Sequence, residues 1–138
     1  MHNRTKTVAL WKKLAEKFAT DTTIAGYDLI NEPNWNLPGG TLLRNLYEDI
    51  TDSIRTVDTN HIIFIEGNWF ANTFTGLTPP WDNNMAYSPH KYWSPVNSVA
   101  DIQYGLDLRD TYNVPIWFGE TGENSNAWYT GLISIMES

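Results

Sequence analysis

The 138-residue sequence predicts an α/β fold in which parallel strands alternate with helices, with about four strand-helix units belonging to an incomplete barrel. Short apolar runs rich in β-branched and aromatic residues alternate with amphipathic segments of helical spacing, which is the pattern of βαβ units. A closed barrel of eight units usually needs roughly 200 to 250 residues. We therefore expect a single domain over residues 1–138 that forms part of a barrel.

The first half of the chain reads as a helix, a strand and a second helix. Apolar side chains recur at helical spacing over about residues 5–19, with lysine and glutamate on the opposite face. The apolar run that follows predicts a buried strand over residues 24–31. Thr41 is a suitable N-cap for the next helix, whose apolar positions extend from Leu43 to Val57.

The second half contains three further strands and two further helices. Residues 61–66 form a continuous apolar strand, whereas residues 85–90 form a weaker strand because a proline lies near its end. Ser98 can cap a third helix, and a fourth strand follows at residues 114–119. A last helix begins near Ser125. Strands joined by helices of this length predict a parallel sheet with right-handed crossovers.

Two glutamates follow buried strands directly, Glu32 after the first strand and Glu120 after the last. The carboxyl ends of parallel strands meet at one end of the sheet, where active sites collect. We therefore expect the two carboxyl groups to face each other across a cleft. A pair of carboxylates in that position is suited to opening a glycosidic bond.

Two other glutamates compete with this pair. Glu66 also ends a strand, and we expect it to contact substrate or to make a structural hydrogen bond. Glu123 follows Glu120 on a glycine-containing turn and is expected to be exposed to solvent.

Composition argues against several other classes of function. The net charge is −7 and no basic run is present, which argues against a nucleic-acid partner. The chain has no cysteine and only three widely spaced histidines, so we expect neither a metal site nor a cofactor. No apolar run approaches the roughly 20 residues of a membrane span, and none indicates a signal peptide.

The chain is rich in aromatic residues, with seven tryptophans and seven tyrosines. Trp35 and Trp69 lie in loops directly after the first and second strands, where an indole ring can stack on a sugar. Trp81 and Trp93 are further candidates for the same role. The alternative for each of these residues is packing beneath its own loop.

Three strings carry a resemblance to a known family. YDLINEP (residues 27–33), HKYW (residues 90–93) and WFGE (residues 117–120) resemble, in order and spacing, three motifs of the cellulase family, glycoside hydrolase family five of clan A. This resemblance implies a (β/α)8 TIM barrel of which the chain contains strands four to seven.

The resemblance also implies roles for individual residues. It assigns Glu32 as the general acid/base and Glu120 as the nucleophile of a retaining glycosidase. Asn31 is expected to hydrogen-bond the 2-hydroxyl of the sugar, Tyr92 to donate to the nucleophile, and His90 to line the same subsite. The implied activity is that of an endo-β-1,4-glucanase on a β-linked polysaccharide or oligosaccharide. The alternatives within the clan are a β-mannanase and other β-glucanases.

Parts of the family's fold have no counterpart in this chain. Strands one to three, which in the family supply an arginine and a histidine, and strand eight, which commonly supplies a tryptophan, are absent. An open sheet exposes two edges, so we expect self-association and a weakly active or inactive isolated chain. A non-catalytic glycan-binding partial barrel therefore stays an alternative. For the parent protein, the resemblance implies an extracellular or periplasmic location.

Overall fold

The computed structural model describes residues 2–34, 40–122 and 124–138, in which short parallel strands alternate with helices. No helix in this part of the chain combines the length and apolar character needed to cross a membrane. The elements are, in chain order, α1 (His2–Phe18), β1 (Gly26–Asp28), α2 (Thr41–Arg55), β2 (Ile62–Glu66), α3 (Asn68–Ala71), β3 (Met85–Ser88), β4 (His90–Lys91), a 3₁₀ turn (Val99–Ile102), α4 (Gln103–Tyr112), β5 (Glu120–Thr121) and α5 (Asn126–Met136).

The strands form two parallel groups that are linked by one bridge. In the first group the order is β1-β2-β3, and Glu66 at the end of β2 lies opposite Ser88 at the end of β3. In the second group β4 pairs with β5, so that His90 lies opposite Glu120. A parallel bridge between Tyr87 and Ile116 links the groups. The predicted parallel α/β arrangement is therefore confirmed.

The predicted strand over residues 114–119 is wrong in its boundaries. Only Ile116 forms a bridge within that run, and regular pairing is confined to Glu120–Thr121. Two prolines explain the interruption, because Pro115 and Pro89 have no N–H to donate to a ladder. The backbone still follows its neighbour, since the N–H of Trp117 donates to Tyr87 O at 2.9 Å.

The first strand is also shorter than the apolar run suggested. β1 ends at Asp28, so Asn31 and Glu32 lie in the following bend and not at the end of the strand. Glu32 has a φ of 40°, in the left-handed region that non-glycine residues seldom adopt. The candidate acid/base is thus carried by an irregular backbone segment, which requires support from neighbouring groups.

The hydrophobic core lies between the outer face of the sheet and the helices. Ile63 and Ile65 of β2 point outward and are fully buried, and they share a cluster with Tyr47, Ile50 and Ile54 of α2. Their alternation with inward-facing residues is the period of two expected of a strand. Burying each of these side chains contributes about 1.5–3 kcal/mol, so this layer supports the sheet and leaves its inner face available.

The inner face of the sheet is open. A cavity of about 530 Å³ runs along it, and Trp117 is 59% exposed at its side. An apolar side chain is therefore exposed to solvent at this face. The cavity is lined along the strands by Gly26, Asp28, Ile62, Phe64, Ala86 and Trp117.

A buried polar cluster ties together the loops at the amino ends of the strands. The hydroxyl of Tyr27 donates to Asp58 Oδ2 at 2.7 Å, and His61 Nδ1 lies 2.6 Å from the same oxygen. His61 Nε2 lies 3.1 Å from the carbonyl oxygen of Asp21. Because both ring nitrogens face acceptors, the site favours the protonated imidazolium.

The electrostatics of the cluster follow from these contacts. Burial opposes the charged form of His61, but hydrogen bonds to Asp21 and Asp58 outweigh burial and raise the pKa of His61. Burial likewise acts to raise the pKa of Asp58, but donors from Tyr27, Asn60 and His61 lower it to about 2. The raised pKa of His61 stabilises the fold below its unfolded value of about 6.5, and that contribution is lost as pH rises through the folded pKa. The lowered pKa of Asp58 stabilises the fold above about pH 3.9 and is lost as pH falls towards 2.

We expect Asp58→Asn to remove much of the pH dependence that His61 brings to stability. At about pH 5.5 the variant should lose about 1–3 kcal/mol of unfolding free energy, because a charged hydrogen-bonded pair is broken. The difference from the wild type should shrink as pH rises above about 6.5. Urea unfolding followed by circular dichroism measures both effects.

The matched control is Asp52→Asn, which changes an exposed aspartate on α2. It should leave the unfolding free energy within about 0.5 kcal/mol of the wild type at each pH. An Asp58→Asn variant with the same pH dependence as the wild type would contradict the proposed charge pairing.

Candidate active site

The carboxyl ends of the strands bring three ionisable side chains together. Glu32 lies in the bend after β1, His90 opens β4, and Glu120 opens β5 directly opposite His90. This end of a parallel sheet is where barrel enzymes place their reactive groups. The structure therefore brings together two glutamates that are far apart in the sequence.

The distances within this group are short. One ligand atom from each of Glu32, His90 and Glu120 lies within 4.8 Å of the other two. His90 Nδ1 lies 2.9 Å from Glu32 Oε1 and 3.6 Å from Glu120 Oε2. The side chains of Glu32 and Glu120 are 30% and 39% exposed, whereas that of His90 is 1% exposed. Both carboxyl groups are thus accessible from solvent while the imidazole lies beneath them.

The separation of the two carboxyl groups can be compared with the spacings that two reaction geometries require. Retaining glycosidases hold them about 5–5.5 Å apart, whereas inverting enzymes need about 6.5–9.5 Å to admit a water molecule. The upper limit of 4.8 Å between oxygens of Glu32 and Glu120 matches the retaining arrangement.

Tyr92 contacts the second of these carboxylates. Its hydroxyl donates to Glu120 Oε2 at 2.8 Å, in agreement with the expected orientation. Asn124 Nδ2 donates to the carbonyl oxygen of Tyr92 at 2.9 Å, which holds the loop that carries the phenol. A donor fixed in this way restricts the rotation of the Glu120 carboxylate and stabilises its negative charge.

Glu66 contacts the backbone of Glu32. It is 2% exposed, and its Oε2 accepts the backbone N–H of Glu32 at 2.5 Å. The expected structural hydrogen bond of Glu66 is therefore confirmed. Burial is the largest influence on this group and raises the pKa of Glu66, although the N–H of Glu32 acts in the opposite direction.

Asp28 places another carboxyl group beside Glu66. Burial, followed by the negative charge of Glu66, raises the pKa of Asp28 to about 7. The motif analysis missed Asp28 as part of the site. Its signal in the sequence is a carboxylate inside an apolar run, at a position that faces the inner side of the sheet.

These side chains enclose a small polar cavity of about 280 Å³. Asn31 is exposed and lies at the cavity, where its amide can reach a bound hydroxyl group. The predicted contact of Asn31 with the 2-hydroxyl of a sugar stays a prediction. The lining residues are Asp28, Asn31, Glu66, His90, Gly119 and Glu120.

The predicted aromatic platforms have different outcomes. Trp69 is 57% exposed and lies in the single left-handed turn after β2, with its ring edge-on to Phe70 at 5.8 Å. It is available to stack on a ligand, as expected. Trp93 is 43% exposed, with Lys91 Nζ 4.3 Å from the centre of its ring. Trp35 lies outside the described residues.

For Trp81 the structure supports the alternative of packing over that of a sugar platform. Its ring stacks on Tyr47 of α2 at 6.3 Å, and its Nε1 donates to Thr51 Oγ1 at 3.2 Å. The guanidinium of Arg44 lies 4.8 Å from the ring. The indole therefore packs against the outer helix, away from the carboxylate pair.

The carboxylate pair and His90 also have the ligand chemistry of a divalent cation site. Within residues 2–34, 40–122 and 124–138, the group of Glu32, His90 and Glu120 is the one whose ligand atoms converge in this way. A cation there would occupy the space between the two carboxyl groups and exclude a substrate from it.

Glu123, the other competing glutamate, lies outside the described residues.

Comparison with protein families gives one match across most of the chain. The family described as cellulase, glycosyl hydrolase family 5, matches residues 2–132. The match covers α1, all of the strands and most of α5.

Curated relatives are similar over part of their own length. A β-xylosidase of Phanerodontia chrysosporium is 36% identical over 90 residues, which cover 63% of this chain and 18% of the relative. An endoglycoceramidase of Cyanea nozakii is 33% identical over 117 residues, covering 72% of this chain and 23% of the relative. An endoglucanase of Paenibacillus polymyxa is 28% identical over 109 residues, which cover 64% of this chain and 28% of the relative. The chain thus spans between 18% and 28% of the length of these proteins.

Solved structures confirm the fold. The endoglucanase Cel5A of Thermotoga maritima superposes with a TM-score of 0.81 at 19% identity, covering 99% of this chain and 56% of that chain. The endoglucanase Cel5A of Pseudomonas stutzeri gives a TM-score of 0.82 at 21% identity, covering 96% of this chain and 50% of that chain. The chain therefore folds as about half of a TIM barrel.

We expect Gly119→Ala to disturb the site by overpacking. A Cβ at this position would overlap Ser88 Oγ and would lie 3.6 Å from His90 Nε2. The variant should lose about 1–3 kcal/mol of unfolding free energy. Adding Ser88→Ala, which removes the overlapping oxygen, should restore much of that loss in urea unfolding. Equal instability of the single and double variants would contradict this explanation.

Proposed function

Because the chain belongs to the cellulase family, glycosyl hydrolase family 5, we propose that its protein hydrolyses β-linked glucans with retention of anomeric configuration. The observation that carries this proposal is the convergence of Glu32 and Glu120 within 4.8 Å at the carboxyl end of the sheet. Binding alone would not require two carboxyl groups at this separation.

Glu120 is the nucleophile in the proposed reaction. Its carboxylate attacks the anomeric carbon while the carboxyl group of Glu32 donates a proton to the departing glycosidic oxygen. A covalent glycosyl-enzyme forms, and the ionised Glu32 then takes a proton from the water that attacks it. Tyr92 supports this assignment, because its 2.8 Å hydrogen bond holds Glu120 in one orientation.

Two further residues contact the sugar or the acid/base in this proposal. Asn31 lies at the cavity and binds the 2-hydroxyl group, an interaction that strengthens in the transition state. His90 fixes the Glu32 carboxyl through its Nδ1 at 2.9 Å and forms the floor of the same subsite. Trp69, exposed at the rim, provides a surface for a neighbouring sugar.

The proposed substrate is a β-1,4-linked glucan, cleaved within the polymer. This choice is supported by the endoglucanases among the relatives and by solved structures of Thermotoga maritima Cel5A with cellobiose. That protein has also been solved with mannotriose, so β-mannan belongs in any assay of this chain's protein. Because a polysaccharide substrate is found outside the cell, we propose an extracellular or periplasmic location for the protein.

A second candidate function is the hydrolysis of a glycolipid, in which a lipid is attached to the sugar. The endoglycoceramidase relative has a higher identity than the endoglucanase, 33% against 28%. Trp69 and Phe70 are 57% and 45% exposed beside each other, and together they form an apolar surface. A glycolipid therefore belongs beside cellulose-derived glucan in the substrate panel, and faster release of sugar from it would favour this candidate.

We expect Glu32→Gln to lower kcat/KM for a β-glucan by about 10²–10⁴-fold, because the leaving oxygen is no longer protonated. An aryl β-glycoside with a good leaving group should lose far less, since its departure needs no proton. Glu120→Gln should abolish turnover of both substrates. Reducing-sugar release and aryl absorbance, measured on the whole protein, report the two reactions.

The matched control is Glu137→Gln, at an exposed position after α5. Its turnover should equal that of the wild type. Binding of cello-oligosaccharides by a folded wild type that hydrolyses neither substrate would support the alternative of a non-catalytic glycan-binding domain. Unchanged turnover in Glu120→Gln would contradict the assignment of the nucleophile.

Tyr92→Phe tests the orientation of the nucleophile. Removing a hydrogen bond to a charged group costs about 1.5–3 kcal/mol, which corresponds to a roughly 10- to 100-fold loss of kcat. Tyr129→Phe, which changes a half-buried tyrosine on α5, provides the matched control. Equal kinetics in Tyr92→Phe and the wild type would show that the 2.8 Å contact does not contribute to turnover.

A further inference from the structure

Glu66 is a buried carboxyl group to which the proposed reaction gives no role. It is 2% exposed, and the cationic side chains of the described residues form no ion pair with it other than the approach of His90. A buried carboxylate without a lysine or arginine partner is costly to desolvate, so it persists only where its contacts repay that cost. Its neighbours therefore indicate what it does.

One oxygen of Glu66 supports the backbone of Glu32. The N–H of Glu32 donates to Glu66 Oε2, and Glu32 has a φ of 40°. A non-glycine residue in the left-handed region is strained and persists only when the surrounding structure holds it. The hydrogen bond from Glu66 supplies that hold at the residue proposed as acid/base.

The other oxygen of Glu66 faces His90. Glu66 Oε1 lies 3.5 Å from His90 Nε2, on the side of the ring opposite to Nδ1. This contact is an electrostatic approach and not a hydrogen bond, and among the described residues the buried Nε2 has no hydrogen-bond partner. Because Nδ1 is 2.9 Å from Glu32 Oε1, the imidazole lies between two carboxyl groups and contacts one through each nitrogen.

A negative carboxylate beside Nε2 favours the tautomer that carries its proton there. Nδ1 is then an acceptor, and a protonated Glu32 carboxyl can donate to it. The carboxyl group of Asp28 lies beside that of Glu66. Tyr47 donates to the carbonyl oxygen of Glu66 at 3.0 Å and fixes the backbone that carries it.

We propose that Glu66 is a positioning residue for the acid/base: one oxygen holds the Glu32 backbone, and the other keeps the His90 proton on Nε2. The role rests on the proposed function, since it matters only if Glu32 protonates a leaving group. Glu66 itself contacts no reacting atom. Its effect reaches the substrate through the position of Glu32.

The first test needs no substrate and no change at Glu66. The chain contains three histidines, so long-range ¹H–¹⁵N correlation spectra of the ¹⁵N-labelled protein are simple to assign with His61→Gln and His2→Gln variants. We expect the neutral form of His90 to carry its proton on Nε2, with Nδ1 as an acceptor. A proton on Nδ1 in the resting protein would overturn the proposal.

The second test uses the dependence on the leaving group. In the whole protein, Glu66→Gln should lower kcat/KM for a β-glucan by about 100-fold, the cost of misplacing a reacting group by about 1 Å. For an aryl β-glycoside with a good leaving group, the loss should be below about threefold, because no proton is needed in the first step. A merely structural role would lower both values equally.

Glu48→Gln is the control, since it changes a glutamate of α2 that pairs with Arg44 outside the site. It should leave both values of kcat/KM unchanged. Equal losses on both substrates in Glu66→Gln, or no loss on either, would overturn the positioning role. If the wild type hydrolyses neither substrate, the proposed function fails, and the histidine spectrum still decides the contact between Glu66 and His90.

Discussion

The hydrogen bond from the Glu32 backbone to Glu66 is the contact on which the geometry of the site depends. It ties the bend after β1 to the end of β2 and holds Glu32 at a φ of 40°. From that position the Glu32 carboxyl meets His90 Nδ1 at 2.9 Å. The pairing of His90 with Glu120 then sets the distance to the second carboxylate. One backbone contact and one strand register therefore fix the separation of the pair.

The outer face of the sheet contributes to stability, whereas its inner face leads to the polar cavity. Outward side chains of β2 pack in the core against α2, whereas its inward side chains end in Glu66 at the polar cavity. At the opposite end of the strands, Asp58 and His61 hold the loops together. Rigid support on one face and at one end leaves the carboxyl ends free to carry strained and charged groups, which is how barrel enzymes separate fold from function.

The sequence predicts that Glu32 and Glu120 meet at one end of the sheet, because motifs on strand ends specify residue identity and topology together. The convergence of Glu32, His90, Tyr92 and Glu120 follows from parallel strands whose carboxyl ends coincide. Strand boundaries are less predictable. The run at residues 114–119 is apolar throughout, but its ladder of hydrogen bonds is interrupted because proline has no backbone N–H to donate. The sequence left the choice between packing and sugar stacking open for Trp81, because its loop folds back on α2, a long-range contact that local sequence does not encode.

The most direct test of the account is to trap the covalent intermediate in the whole protein. A 2-deoxy-2-fluoro-β-cellobioside with a good leaving group forms a glycosyl-enzyme quickly and releases it slowly, because the fluorine destabilises both transition states. Mass spectrometry of the digested protein should place the sugar on Glu120, with Glu32 unlabelled. A label on Glu32 or Glu66, or the absence of any covalent adduct in an enzyme that turns over glucan, would contradict a retaining mechanism with Glu120 as nucleophile.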